Sequence, residues 1–143
     1  MTVDEREANV AVAHAHAAAE ADGDIEQTMA TLDENPVYEI QPMGVSLRGR
    51  DAARAYYEHF FAEFMPRISG YDLRGEWITD EGVGQEYVIH VDDGDGSTNH
   101  HPIIGILTFG TGGKLSGERL YASDELIRMM FGPVLGRAVP TWS

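Results

Sequence analysis

Apolar and polar residues alternate along the second half of the chain, as in strands of a sheet with one buried face. Between His100 and Phe109 every second residue is apolar or small, and the glycines at 110, 112 and 113 supply a hairpin turn. The chain therefore predicts a run of antiparallel strands. They span Tyr71–Ile78, Val83–Val91, His100–Phe109 and Lys114–Ser123.

The first half of the chain has helical periodicity instead. Alanine-rich sequence runs up to Asp22-Gly23-Asp24, where Gly23 is suited to ending a helix and Asp24 to capping the next. A turn is expected over 33–36, and Asp124 is expected to cap a final helix. The predicted helices are Val3–Ala21, Ile25–Leu32, Gly49 to about Met65 and Glu125–Phe131, and the early strands are Val37–Ile40 and Val45–Leu47.

Helices followed by consecutive antiparallel strands predict an α+β fold. Three N-terminal helices would pack on one face of a curved antiparallel sheet, forming a cone with an internal pocket for a small molecule. The 143 residues suit one domain, with a C-terminal arm at about 133–143.

Charge narrows the choice of partners. Twenty-four acidic and ten basic residues give a formal charge of −14, which repels nucleic acid and anionic membranes, so neither is expected as a partner. No apolar run is long enough to span a bilayer, and the acidic start of the chain is unlike a signal peptide. The chain has no cysteine, which fits a cytoplasmic location.

One carboxyl group stands out against the strand pattern. Glu118 shares a strand face with Leu120, which is the face expected to point inward. An ionised carboxylate is costly there unless it is paired, bound or protonated. Glu118 is therefore the first candidate for a catalytic group.

Two further groups of residues are expected to converge on the same pocket. His16 and Glu20 are four apart on a helix and can form a carboxylate–histidine pair, although an exposed pair of little energetic value has the same spacing. His101 shares the parity of the inner face, and pairing of the strands brings Gln85 and Tyr87 to that face. The alternative is a hydrogen-bonded network lining a vestigial pocket.

No metal or cofactor is expected. His14 and His16 lie on different faces of their helix, which is poor metal geometry. The acidic loop around Asp92–Asp95 lacks the ligand spacing of a calcium loop and is interpreted as a solvated turn.

The order of elements resembles the nuclear transport factor 2-like superfamily, and within it the SnoaL-like and ketosteroid-isomerase-like proteins. The residues that carry the resemblance are Asp22–Ile25, Leu47–Gly49 and Gly113–Asp124. The resemblance implies a cystatin-like α+β barrel. Its members include polyketide cyclases, isomerases, dehydratases (a class of lyase), epoxide hydrolases and proteins that only bind or dimerise, so the fold alone does not give the function.

Matching the ketosteroid isomerases position by position leaves two roles empty. Their oxyanion-hole tyrosine corresponds to His16, and its supporting tyrosine corresponds to Tyr57. Their general-base aspartate falls at Ile40 or Gln41, and their protonated aspartate falls at Gly105. Steroid isomerisation is therefore not expected. The aspartate of the dehydratases falls near Ala21, where neighbouring Glu20 could substitute.

These observations favour a cofactor-independent acid–base enzyme of the isomerase, cyclase or dehydratase type, acting on a small hydrophobic, cyclic carbonyl or hydroxyl compound. A non-catalytic binding or dimerisation module is the alternative, and an epoxide-type hydrolase is a weaker one. Arg119 and Tyr121 are expected on the outer sheet face, where resembling proteins often form homodimers. The catalytic candidates are His16, Glu20, His101 and Glu118, and the substrate-binding candidates are Tyr57, Tyr87, Gln85, Trp77 and Tyr38. Tyr57 also suits a purely structural role, and Trp77 suits core or pocket wall.

Overall fold

A computed structural model of the protein describes residues 1–142. The helices are α1 (Val3–Ala21), α2 (Ile25–Ala30), α3 (Arg50–His59) and α4 (Asp124–Phe131). The strands are β1 (Leu32–Gln41), β2 (Val45–Arg48), β3 (Ile68–Ile78), β4 (Gly82–Asp92), β5 (Thr98–Phe109), β6 (Leu115–Tyr121) and β7 (Val139–Pro140). A π-helical turn (Phe60–Phe64) and a 3₁₀ turn (Met65–Arg67) follow α3, and another 3₁₀ segment (Gly132–Arg137) follows α4.

The seven strands form one curved, open sheet in the order β3-β4-β5-β6-β1-β2-β7. The strands from β3 to β6 pair antiparallel, as the alternating pattern predicts. The pairing of β1 with β6 is parallel, however, so the sheet is mixed and not wholly antiparallel. This pairing places β1 beside the strand that carries Glu118, with Tyr38 directly opposite Glu118.

The helices cover the concave face of the sheet and bury an aromatic core. The rings of Tyr56 on α3 and Phe131 on α4 stack with centroids 4.1 Å apart. The π-helical turn adds Phe60 and Phe64, both buried. Core packing therefore fills one end of the cone, which leaves the end beneath α1 for a cavity. The α+β architecture expected from the sequence is confirmed.

Several boundaries differ from the sequence-based expectation. Residues 33–36 lie within β1, where a shift in register between Leu32 and Val37 accommodates the turn-like composition. The third helix ends at His59, and Ser123 caps α4 by accepting a hydrogen bond from the Leu126 amide. The tail forms the 3₁₀ segment and pairs with β2 through β7, while Ser143 lies outside the described residues.

Helix α1 shows why a long helix can still leave space beneath it. Only Ala13, His16 and Ala19 are fully buried, so α1 presents small side chains and one imidazole to the sheet. Small side chains fill little volume between a helix and a sheet. None of the helices in residues 1–142 combines the length and apolar character needed to cross a membrane.

Candidate active site

A cavity of about 240 Å³ lies between α1 and the concave face of β3 to β6. Its wall is mainly aliphatic and aromatic, with two carboxyl groups and one imidazole. Tyr71 and Leu73 on edge strand β3 are 47% and 62% exposed, so they mark the mouth of the cavity. The lining residues are His16, Ala17, Glu20, Ala21, Tyr71, Leu73, Gln85, Tyr87, Gly105, Leu107 and Glu118.

The imidazole of His16 is held in one tautomer by the end of α2. The Thr31 hydroxyl donates to the Thr28 carbonyl oxygen at 2.7 Å, which uses its only proton. His16 Nδ1 lies 2.7 Å from the same hydroxyl oxygen and must therefore donate to it. In the neutral ring the lone pair is consequently on Nε2, on the side of the cavity.

His16 Nε2 faces two groups. The Tyr57 hydroxyl lies 3.0 Å away and Glu20 Oε2 lies 3.4 Å away. Tyr57 can donate to the lone pair, but an ionised Glu20 cannot. A proton placed on Nε2 would be shared with the Glu20 carboxylate, so the pair gains a hydrogen bond when it takes up a proton. The structure thus brings His16 and Glu20 together at the cavity wall.

A second tyrosine extends this hydrogen-bond chain away from the cavity. The hydroxyl oxygens of Tyr38 and Tyr57 are 2.5 Å apart, and both side chains are fully buried. Burial is the main cause that raises the pKa of each hydroxyl well above its ordinary value, so both stay neutral. Tyr38 and Tyr57 therefore stand behind the cavity wall and support His16, because neither is among the lining residues.

Glu118 points into the cavity from the central strand β6. It lies opposite Leu107 on β5, and its Oε2 occupies the space above Gly105. Its carboxyl accepts no hydrogen bond and forms no ion pair among residues 1–142. Burial raises the pKa of this carboxyl well above its ordinary value of 4.5, and the neighbouring Glu20 carboxylate raises it further. The protonated form of Glu118 is therefore favoured well above the pH at which an exposed glutamate ionises.

Two polar residues of β4 complete the lining. Tyr87 lines the cavity, and its hydroxyl has no hydrogen-bond partner among residues 1–142; burial raises its pKa well above the ordinary value. Gln85 donates from Nε2 to Glu76 Oε2 at 2.6 Å. Glu76 in turn accepts from His14 Nε2, 3.2 Å from both of its oxygens. This contact ties α1 to β3 beside the mouth.

His101 does not join this constellation, contrary to the expectation from strand parity. It faces inward and is 8% exposed, but it lies opposite Ile89 and is absent from the cavity lining. Six residues separate it along β5 from Leu107, which is opposite Glu118, and six residues of strand span about 20 Å. Parity gives the face of a side chain and not its position along the strand. The Nε2 atom of His101 is buried without a hydrogen-bond partner.

Trp77 also lies outside the cavity. The register of β3 against β4 shifts between Leu73 and Gly75, which is a β-bulge that reverses the parity of the following residues. Glu76 thereby turns to the side of Gln85, while Trp77 turns to the outer face, packs over Gly75 and is 55% exposed. A role for Trp77 in binding a ligand inside the cone is excluded by this placement.

Sequence reasoning missed four residues that shape the site. Thr31 sets the tautomer of His16, Glu76 orients Gln85, and Tyr71 and Leu73 form the mouth. The parity of Tyr71 and Leu73 in the predicted third strand was a usable signal. Thr31 and Glu76 act through contacts between distant segments, for which the sequence has no signal. Residues 1–142 contain no group of three or more His, Asp or Glu side chains placed to hold a metal ion.

Residues 13–117 match the SnoaL-like domain family, which covers most of the chain and the greater part of the cavity wall. The chain belongs to this family. Membership supports a possible isomerase or cyclase and leaves the reaction open. No curated protein matches the sequence.

Solved structures with the same fold extend the comparison. An NTF2-like protein of unknown function from Burkholderia xenovorans is 24% identical over 82% of this chain and 84% of its own, with a TM-score of 0.63. An uncharacterised protein with a cystatin-like fold from Silicibacter pomeroyi is 16% identical over 88% and 84%, with a TM-score of 0.65. A hypothetical protein with a ketosteroid isomerase-like fold from Catenulispora acidiphila, in complex with trimethylamine, is 16% identical over 86% and 94%, with a TM-score of 0.61. The nuclear transport factor 2-like fold expected from the sequence is confirmed.

Proposed function

We propose that this SnoaL-like protein is an acid–base enzyme of the isomerase, cyclase or dehydratase type, acting on a small hydrophobic, cyclic carbonyl or hydroxyl compound. The observation that carries the proposal is the Glu118 carboxyl, which stands unpartnered in an apolar cavity with a raised pKa. A neutral carboxylic acid in such a place can donate a proton or a hydrogen bond to a substrate oxygen.

The opposing base in this proposal is the pair formed by Glu20 and His16. Both residues line the cavity, and a quarter of the Glu20 side chain is exposed. Glu20 Oε2 lies 3.4 Å from His16 Nε2. A proton removed from a substrate carbon is stabilised on this pair, because it completes the hydrogen bond that the imidazole and the carboxylate lack before they take up the proton. A proton donor and a proton acceptor that face one apolar pocket are what acid–base chemistry requires.

The size of the cavity supports a small substrate. About 240 Å³ is below the range of roughly 300–1,000 Å³ that is usual for drug-sized ligands. Leu73, Leu107 and the rings of Tyr71 and Tyr87 provide an apolar wall for a ring or short chain. Tyr71 and Leu73 lie on β3 and Tyr87 lies on β4, and neither strand carries a catalytic candidate.

A turnover assay on cyclic hydroxyketones tests the proposal. Loss of water from 3-hydroxycyclohexanone needs one base and one acid and gives a conjugated product that is followed by ultraviolet absorbance. General acid or base groups contribute about 10²–10⁴-fold each, so Glu118→Gln and His16→Ala should each lower turnover by about that factor. Glu86→Gln is the matched control, because Glu86 pairs with Arg74 away from the cavity. Full activity of both Glu118→Gln and His16→Ala on the accepted substrate would remove the proposal.

A non-catalytic binding module is the second candidate. The general-base aspartate of the ketosteroid isomerases corresponds to Ile40 or Gln41 on β1, and neither side chain can take a proton from carbon; Ile40 is also fully buried. The Catenulispora acidiphila protein holds trimethylamine, so a protein of this fold can hold a small molecule. Saturable ligand binding without product formation across the same panel would favour this candidate.

We further propose that the protein is a cytoplasmic homodimer formed through the convex face of the sheet. This face exposes Trp77, Ile104 and Tyr121, with Arg119 paired to Glu39 beside them. Exposed apolar side chains grouped on one sheet face favour association. Light scattering should give twice the chain mass, and Ile104→Asp should give the mass of a single chain; a monomeric wild-type protein would contradict the proposal.

A further inference from the structure

Gln85 and Glu76 form a cross-strand pair at the edge of the cavity. They lie directly opposite each other on β4 and β3, and Gln85 Nε2 donates to Glu76 Oε2 at 2.6 Å. On its other side Gln85 lies opposite Gly105, above which the Glu118 carboxyl is placed. Gln85 therefore stands between the Glu76 carboxylate at the mouth and the Glu118 carboxyl inside the cavity.

The contact with Glu76 fixes which end of the Gln85 amide faces the ligand. A carboxylate can only accept hydrogen bonds, so the NH₂ group of Gln85 must point to Glu76. The two oxygens of Glu76 also accept from His14 Nε2, which holds the carboxylate in place. The hydrogen bond from Gln85 is the main cause that lowers the pKa of Glu76, so this carboxyl is ionised at neutral pH. Gln85 lines the cavity, and its carbonyl oxygen accepts no side-chain hydrogen bond among residues 1–142.

We propose that Glu76 is a positioning residue that makes Gln85 a hydrogen-bond acceptor in the cavity, and that the pair thereby selects ligands carrying a hydroxyl group. This inference deepens the proposed function and rests on it for the neutral state of Glu118. A hydroxyl can donate to the Gln85 oxygen while accepting from the Glu118 acid. The two groups line the same cavity and make no hydrogen bond with each other, so each is free to bind a ligand.

A carbonyl group satisfies only half of this arrangement. It can accept from Glu118, but it leaves the Gln85 oxygen unpaired within the cavity. A binding site whose polar group is left without a partner discriminates strongly against such a ligand. The pair therefore narrows the substrate from a carbonyl or hydroxyl compound to one whose hydroxyl lies at the inner end of the cavity.

Binding of cyclohexanol and cyclohexanone, followed by nuclear magnetic resonance titration of ¹⁵N-labelled protein, tests the inference. The two probes share one ring and differ in the hydrogen-bond donor. Wild-type protein should bind cyclohexanol about tenfold more tightly, with shifts at the Gly105 amide. Glu76→Lys replaces the acceptor by a donor, turns the amide of Gln85 around, and should abolish or reverse the preference. Glu86→Lys, the same charge change outside the cavity, should keep it.

A second variant removes the Gln85 amide without changing any charge, so it tests the hydrogen bond to the amide by itself. Gln85→Leu should lose the tighter binding of cyclohexanol and leave the affinity for cyclohexanone within about threefold. Equal affinities of wild type for the two probes, a preference unchanged in Glu76→Lys, or no shift at Gly105 with either probe would overturn the inference. These titrations need no turnover. Equal affinities together with an active wild type would therefore contradict the selection of hydroxyl ligands without contradicting the proposed function.

Discussion

The carboxyl of Glu118 occupies the space that a β-carbon at Gly105 would need: Oε2 is 2.6 Å from that position. Gly105 is also where the ketosteroid isomerases that the sequence resembles have their protonated aspartate. A glycine on β5 and a glutamate on β6 therefore bring an acid to the same wall from a neighbouring strand. The absence of a side chain at 105 is what lets the Glu118 carboxyl enter the cavity.

Gly105→Ala should displace this carboxyl. Real β-carbons do not approach an oxygen at 2.6 Å, so the Glu118 side chain must leave its position. We expect turnover to fall by about 10²-fold, which is the lower end of what a general acid contributes. Gly84→Ala is the control, because the added carbon meets Ile106 at an ordinary 3.7 Å on the other face. Unchanged turnover in Gly105→Ala, with both variants folded by circular dichroism, would contradict this role of Gly105.

Glu118→Gln should change how stability depends on pH. Because burial raises the pKa of Glu118 above 4.5, its contribution is fully present below pH 4.5 and is lost as pH rises through the raised value. Glutamine stays neutral at every pH. The free energy of unfolding of Glu118→Gln, relative to wild type, should therefore increase as the pH rises from about 4.5 through the raised pKa of Glu118, as measured by urea denaturation. A difference that is constant across this range would show that Glu118 is not a neutral acid in the folded protein.

Tyr57→Phe should destabilise the protein by about 1–3 kcal/mol, because it leaves Tyr38 without an acceptor and His16 Nε2 without its donor. The matched control is Tyr56→Phe. Tyr56 is equally buried on α3, and its hydroxyl makes no hydrogen bond within residues 1–142. Urea denaturation of both variants measures the difference, and equal stability losses would show that the hydroxyl chain carries no net stabilisation.

His101→Leu should keep full turnover and lose little or no stability. The imidazole lies about 20 Å along β5 from the acid. Its buried Nε2 has no partner, so an apolar side chain removes an uncompensated polar atom while leaving a smaller volume. Turnover and thermal unfolding of this variant check the assignment. A loss of activity as large as that of Glu118→Gln would show that His101 takes part in catalysis.

The strand pattern located the inner face of β5 and β6 because period-two alternation survives wherever the ladder is regular. Glu118 and Leu107 could therefore be predicted to share that face. The same pattern cannot place Trp77, since the bulge at Leu73–Gly75 reverses the parity of the residues that follow it. Nor does this pattern give the position of His101 along β5 relative to the cavity.

The helical part was predictable for a different reason. Four-residue spacing brings His16 and Glu20 to one face of α1 wherever that helix lies. The partners behind His16 come from elsewhere: Thr31 follows α2, and Tyr57 reaches it from α3. Such contacts depend on how helices pack on the sheet, which local sequence does not encode.

The most direct test of the acid–base proposal is the titration of the Glu118 carboxyl itself. Its ¹³C resonance, assigned by comparison with Glu118→Gln, can be followed from about pH 3 to about pH 9. We expect the resonance to remain that of a protonated acid well above pH 4.5. A resonance that titrates at or below pH 4.5 would contradict the neutral acid on which the proposed chemistry depends.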